Sequence, residues 1–124
     1  MRNFQIEGSE ISPRVWLDEK SGTIEISGVS AFQNPFQFYR SIARWIHAFN
    51  LGEHKTRMVN VKFEYLDEAS MKAMEFILQQ LNKLGKENNK LIVNWYYSNG
   101  NSLVQMIGML YSGRSGIPFN LVAA

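Results

Sequence analysis

Residues 61–80 read VKFEYLDEASMKAMEFILQQ. In the first half Val61, Phe63 and Tyr65 alternate with Lys62 and Glu64. Period two marks a strand with one buried face. In the second half the period changes. Met71, Met74, Ile77, Leu78, Leu81 and Leu84 recur at helical spacing on one stripe. A strand running directly into a helix is half of a crossover connection, so this stretch predicts an α/β fold with partly parallel pairing. The switch itself, Asp67-Glu68-Ala69-Ser70, carries two acids. Asp67 is expected to cap the helix by accepting from the amide of residue 69 or 70. Glu68 then lies in the first turn, where its negative charge meets the positive end of the helix dipole and gains roughly 0.3–1 kcal/mol.

The rest of the chain extends this pattern. Phe4 and Ile6 suggest a short strand. Val15 and Leu17, a turn at DEKSG (18–22), and Ile24 and Ile26 read as a hairpin. Asn34-Pro35 starts a helix that carries Phe38, Tyr39, Ile42, Trp45, Ile46 and Phe49, with Gly52 as its stop. The second helix ends near Gly85. Leu91 to Tyr97 is a β-branched and aromatic run, hence a strand. Leu103, Met106, Ile107 and Leu110 predict a third helix, which Gly108 weakens. Gly113, Gly116 and Pro118 lead to a last strand over Phe119 to Val122. The expected order is β-β-β-α-β-α-β-α-β. Polar alternates at Glu25, Lys62, Glu64 and Asn94 imply helices on one face only, a two-layer sandwich with a mixed sheet.

The chain has 124 residues, 45% hydrophobic and 19% charged, as expected of one globular domain over 1–124. A net charge of +2, with scattered basic residues, argues against nucleic acid and against an anionic membrane surface. The absence of cysteine removes disulfides and thiolate chemistry. No apolar run is long enough for a signal peptide or a membrane span, so the expected location is cytoplasmic.

Catalytic groups are sparse. His47 on the first helix and His54 in the loop GEHKTR have no accompanying acid pair, so no metal site is expected. SGRSG at 112–116 lacks the lysine and the spacing of a phosphate loop and reads as a helix end. Glu64 and Asp67 sit at a strand-helix turn without a histidine or nucleophile, so no catalytic residue and no cofactor are assigned. A competing reading is a small-ligand module with a pocket near Trp95, Tyr97 and Arg114.

Five segments in order carry a resemblance: IEGSEISPRV (6–15), IEISGVSAFQNP (24–35), VKFEYLDEASMKAM (61–74), LIVNWYY (91–97) and IPFNL (117–121). Together they resemble the SiaC family of bacterial regulatory phosphoproteins, whose fold is similar to the STAS domain of anti-sigma-factor antagonists. The resemblance implies a non-enzymatic switch acting by protein contact in a cyclic di-GMP circuit that favours biofilm growth. Its implied partners are a diguanylate cyclase and a serine/threonine kinase or phosphatase; homodimer formation is left open. In such proteins a threonine at the strand-helix junction is phosphorylated. Here the junction departs from that pattern: Asp67 stands at an asparagine, Glu68 at the phosphorylated threonine and Ala69 at the next serine, while Ser70 is kept. The expected consequence is loss of phosphoregulation at position 68. Ser70 is expected to point toward the Asp67 cap. The third helix lacks the acidic residues usual in the family. Lys72 and Phe76 complete the expected partner surface, Phe76 being either an exposed anchor or a residue packed under a loop.

Overall fold

The computed structural model describes residues 3–18, 20–48, 56–85 and 90–124. Among these residues nine elements follow one another as β1 (Asn3–Ile6), β2 (Arg14–Asp18), β3 (Thr23–Ser30), α1 (Pro35–Ala48), β4 (Thr56–Leu66), α2 (Glu68–Gly85), β5 (Lys90–Tyr97), α3 (Ser102–Arg114) and β6 (Phe119–Ala123). This is the order the alternation and spacing predict. Gly52, the expected stop of the first helix, Phe49 and His54 lie outside the described residues.

The strands form one six-stranded sheet in sequence order, β1 to β6. β1, β2 and β3 pair antiparallel; β3, β4, β5 and β6 pair parallel. The short turn after Asp18 allows antiparallel pairing, whereas each parallel step needs a helix to bring the chain back. Crossovers of one hand that add strands in one direction place every helix on the same face. The sheet has no reversal of strand order, and so no crevice of the kind at which doubly wound folds bind ligands.

Between helices and sheet lies one core. Val15, Leu17, Ile24, Ile26, Val59, Val61, Phe63, Val93 and Trp95 supply the sheet side; Tyr39, Ile42, Met74, Ile77, Leu78 and Leu81 supply α1 and α2. Each strand contributes alternate residues, as period two requires. The other face mixes half-buried Trp16, Met58, Ile92 and Tyr96 with a bonded row of polar residues. Asn60, Asn94 and Asn120 are in register on β4, β5 and β6. Asn94 donates to Asn60 Oδ1 at 2.9 Å and accepts from Asn120 Nδ2 at 3.0 Å. Beside them Glu25 lies 3.8 Å from Lys62 Nζ and 4.0 Å from Arg14.

The third helix forms where expected but rotated. Its buried residues are Val104, Ile107, Gly108 and Tyr111. Of the expected stripe only Ile107 is buried; Leu103, Met106 and Leu110 are exposed, as is Met109. The cause is Gly108. A Cβ there would stand 2.3 Å from Trp95 Cδ1, so the helix lies glycine side down on the indole. The indole N–H donates to Val104 O at 2.8 Å. Gly108 is thus the contact that seats α3, and its lower helix propensity is the cost of that approach. The first helix starts at Asn34-Pro35 as expected: Asn34 has a left-handed φ of 59°, which asparagine tolerates, and Pro35 is the first residue of α1.

Candidate functional site

The junction is built from β3, β4 and the start of α2. In β3 the register shifts between Gly28, whose φ is 103°, and Val29; beyond this bulge Ser30 pairs with Leu66, the last residue of β4. The Asp67 N–H donates to Ser30 O at 3.0 Å. Asp67 Oδ1 accepts from the Ser70 N–H at 2.8 Å, and Asp67 O accepts from the Met71 N–H at 2.9 Å. Asp67 is therefore the N-cap, on the second of the two expected amides.

Ser70 behaves differently from the sequence expectation. Only its backbone N–H serves the cap. Its side chain is fully buried and accepts from Ser30 Oγ at 2.7 Å, while the Tyr39 hydroxyl donates to Ser30 Oγ at 2.9 Å. This chain of hydroxyls joins α1, the end of β3 and the first turn of α2. Burial pushes the Tyr39 phenol far above its usual range; the Asp67 charge adds to this, and the Ser30 bond opposes it. A hydroxyl with no exposure is closed to a kinase in the folded protein.

Glu68 points the other way. Its side chain is 85% exposed and lies 3.6 Å from Lys72 Nζ, one turn on. Such an exposed i,i+4 pair is worth about 0.3–0.5 kcal/mol and fixes little. Ala69 is exposed beside it. Phe76 is partly buried and packs against the core, so the solvent-facing part of this end of α2 consists of Glu68, Ala69 and Lys72.

A second feature adjoins it, which the sequence reading did not find. Leu103, Leu110 and Arg114 recur at i, i+7 and i+11, so they share one stripe of α3. Arg114 on that stripe meets Glu75 of α2 at 2.8 Å, and the Tyr111 hydroxyl donates to Met71 O. Leu103, 38% exposed, and Leu110, 42% exposed, therefore lie on the α2 side of α3. The signal in the sequence was the lack of any charge from Ser102 to Gly113, unusual for a surface helix.

The reading of a ligand pocket formed by Trp95, Tyr97 and Arg114 is corrected. Trp95 is wholly buried under α3. Tyr97 lines a shallow recess of about 260 Å³ with Lys62, Tyr96 and Ser98, and Arg114 lines a separate groove of about 460 Å³ between α2 and α3. Sheet packing claims the tryptophan, and no common cavity remains. The His47 side chain lies outside the described residues, like His54. Among the described residues no group of three or more His, Cys, Asp or Glu could hold a metal, and no helix is long and apolar enough to cross a membrane.

Comparison with known proteins agrees with this architecture. An uncharacterized protein of Pseudomonas aeruginosa strain UCBPP-PA14 is 22% identical over 123 residues, 99% of this chain and 98% of its own length. The crystal structure of apo-SiaC from Pseudomonas aeruginosa superimposes with a TM-score of 0.88 at 22% identity, covering 99% of this chain and all of that one. A chain in the crystal structure of the diguanylate cyclase SiaD in complex with its activator SiaC, from the same organism, gives 0.87 at 21% identity, covering 98% and 99%. Residues 6–124 match the family described as SiaC family regulatory phosphoproteins. With the whole of that span matched, and the six-stranded, one-sided sandwich in common, the chain belongs to the SiaC family.

Proposed function

We propose that this protein is a regulator that acts by protein contact rather than by catalysis, in a cyclic di-GMP circuit, with a diguanylate cyclase as its effector and a serine/threonine kinase or phosphatase of the same circuit as a further contact. The observation that carries this reading is the exposed Glu68 on a rigid junction. The backbone on either side of it is held by the Asp67–Ser30 and Ser70–Asp67 bonds, and its carboxylate, exposed and paired with Lys72 one turn on, is within reach of another molecule. The SiaC relative of known structure is the activator of a diguanylate cyclase. The docking surface is the start of α2, Glu68, Ala69 and Lys72 backed by Phe76, continued by Leu103 and Leu110 on the adjoining side of α3. A charged spot beside an apolar strip suits a helical partner. At position 68 the carboxylate cannot accept phosphate, so contact here is set by a permanent charge.

The test pairs this chain with each diguanylate cyclase of its own genome and measures binding and cyclic di-GMP formation. One cyclase is expected to bind and change its output. Reversing the charge with Glu68→Lys is expected to change that affinity about tenfold or more, mostly through the association rate and its salt dependence. A kinase of the circuit is expected to label Glu68→Thr at residue 68 and to leave residue 68 of the parent chain unlabelled. If no cyclase responds, or if Glu68→Ala and Glu68→Lys bind as the parent does, the junction is only a helix start.

A further inference from the structure

From Leu91 to Ala124 the chain carries a single charged residue, Arg114. Arg114 is ion-paired with Glu75 on the α2 side of α3. Among the described residues from Leu91 onward, the opposite side of α3 therefore carries no charged side chain. Gln105, Gly108, Met109 and Ser112 recur at i, i+3, i+4 and i+7 and form that side. Gly108 touches Leu121 of β6, so this stripe overhangs the last strand. Met109 is 57% exposed, Met106 61% and Leu121 40%.

Among the described strands β6 is at an edge of the sheet, paired with β5 alone. Natural edges are commonly guarded by lysine, by proline within the strand or by a bulge. Phe119-Asn120-Leu121-Val122-Ala123 has none of these, and its residue-by-residue register with β5 is unbroken. The Ala124 N–H bonds to Tyr97 O, and main-chain bonding alternates along a parallel strand. Phe119, Leu121 and Ala123 accordingly turn their N–H and C=O groups outward.

We propose that this face joins a second copy of the same chain, β6 against β6, in a two-fold dimer centred on Leu121. In a two-fold contact each patch meets itself, so any charge on it faces a like charge; a patch without charge escapes that penalty. The outward groups fit the same arrangement. Antiparallel pairing about Leu121 sets Leu121 opposite Leu121 and Phe119 opposite Ala123, as hydrogen-bonded pairs, and forms about six main-chain bonds. The two sheets merge into one. The two α3 helices come together above the seam, with Met109 and Leu121 of each copy covering one another. Methionine suits such a seam because its unbranched chain adapts to the opposing surface. The Glu68 junction lies off this face, on the α2 side, and stays open in the dimer.

Sedimentation and light scattering of the full chain test this. The parent is expected at about twice the 14.3 kDa chain mass at micromolar concentrations. Met109→Glu and Met109→Lys are each expected at the single-chain mass, because each sets like charges across the axis. Met109 is exposed, so neither change threatens the fold, and circular dichroism checks that. An equimolar mixture of the two variants is expected to return to the doubled mass, since opposite charges then meet. Hydrogen exchange supplies a second measurement: the Leu121 and Ala123 amides are expected to slow at least about tenfold between dilute and concentrated parent protein. A parent that remains single-chain up to hundreds of micromolar overturns the proposal. So does a dimer that tolerates both single variants, or a mixture that stays single-chain.

Discussion

Replacing Gly108 with alanine sets helix propensity against packing within one residue. Propensity alone favours alanine in a helix interior by about 1 kcal/mol. The structure opposes it. The new Cβ would stand 2.3 Å from Trp95 Cδ1, 2.5 Å from Trp95 Nε1 and 2.9 Å from Leu121 Cδ2. Leu121 is half exposed at the edge and can move. Trp95 cannot: it is fully buried, stands edge-on to Tyr111 at 5.5 Å, and holds Val104 O through its indole N–H. Overpacking a tight core costs about 1–3 kcal/mol. Lifting α3 off the indole forfeits a further hydrogen bond, about 1 kcal/mol. The balance is a net loss of about 2 kcal/mol, roughly 6–10 °C in Tm for a domain of this size. Gly113 in the same helix is the control. No heavy atom lies within 4 Å of its would-be Cβ, so Gly113→Ala is expected to stabilise by up to about 1 kcal/mol. Urea unfolding followed by circular dichroism measures both. A Gly108→Ala protein as stable as the parent would refute the claim that this glycine exists to seat the helix on Trp95.

Three further outcomes follow from the junction. Asp67→Ala removes the carboxylate that caps α2 and is expected to cost about 1 kcal/mol in urea unfolding, with Asp67→Asn recovering most of it. Ser70→Ala leaves the buried Ser30 hydroxyl without its acceptor and is expected to cost about 1–3 kcal/mol; mass spectrometry of natively phosphorylated protein is expected to find no phosphate on Ser70. Tyr39 is raised well above the phenol value of about 10 that it takes in the unfolded chain. Its contribution is therefore complete below pH 10 and is lost as pH rises, because the unfolded chain ionises first. The stability difference between the parent and Tyr39→Phe is expected to change by up to about 1.4 kcal/mol per pH unit above pH 10, and curves that stay parallel there would remove the buried-phenol account.

Why some of this was legible in the sequence and some was not comes down to phase. In β4 the alternation of Val59, Val61 and Phe63 with Asn60, Lys62 and Glu64 fixes which side is buried. In α2 the stripe Met74, Ile77, Leu78, Leu81 does the same, because charged residues occupy the rest of the turn. α3 offers no such contrast. Its residues are apolar nearly all round, so Leu103, Met106 and Leu110 looked as suitable for the core as Val104, Ile107 and Tyr111. The deciding residue was Gly108, which in sequence is only a weak helix former. Ser70 was misread for another reason. Its partner Ser30 is 40 positions away, and nothing local distinguishes a cap serine from one whose hydroxyl turns inward. The asparagine ladder likewise requires the register of three strands before Asn60, Asn94 and Asn120 become neighbours.

Glu68 and Ser70 are two residues apart, and residues at that spacing face opposite sides of a helix. One turn of α2 thereby does two separable jobs. Its inner side is tied by the Asp67 cap and by the Tyr39–Ser30–Ser70 hydroxyls, whose individual loss costs on the order of 1–3 kcal/mol. Its outer side holds Glu68 by a solvent-exposed ion pair worth only tenths of a kcal/mol. Exchanging the residue at 68 therefore alters the charge offered to a visitor while leaving the backbone that offers it in place. A phosphorylated hydroxyl at this point would carry about −1.5 to −2. The carboxylate carries one permanent charge, shared with Lys72. The same scaffold accepts either group at nearly equal stability, so the difference between them falls on the partner. An effect of Glu68→Ala or Glu68→Thr on partner binding can then be assigned to charge, provided unfolding shows the two variants within about 0.5 kcal/mol of the parent.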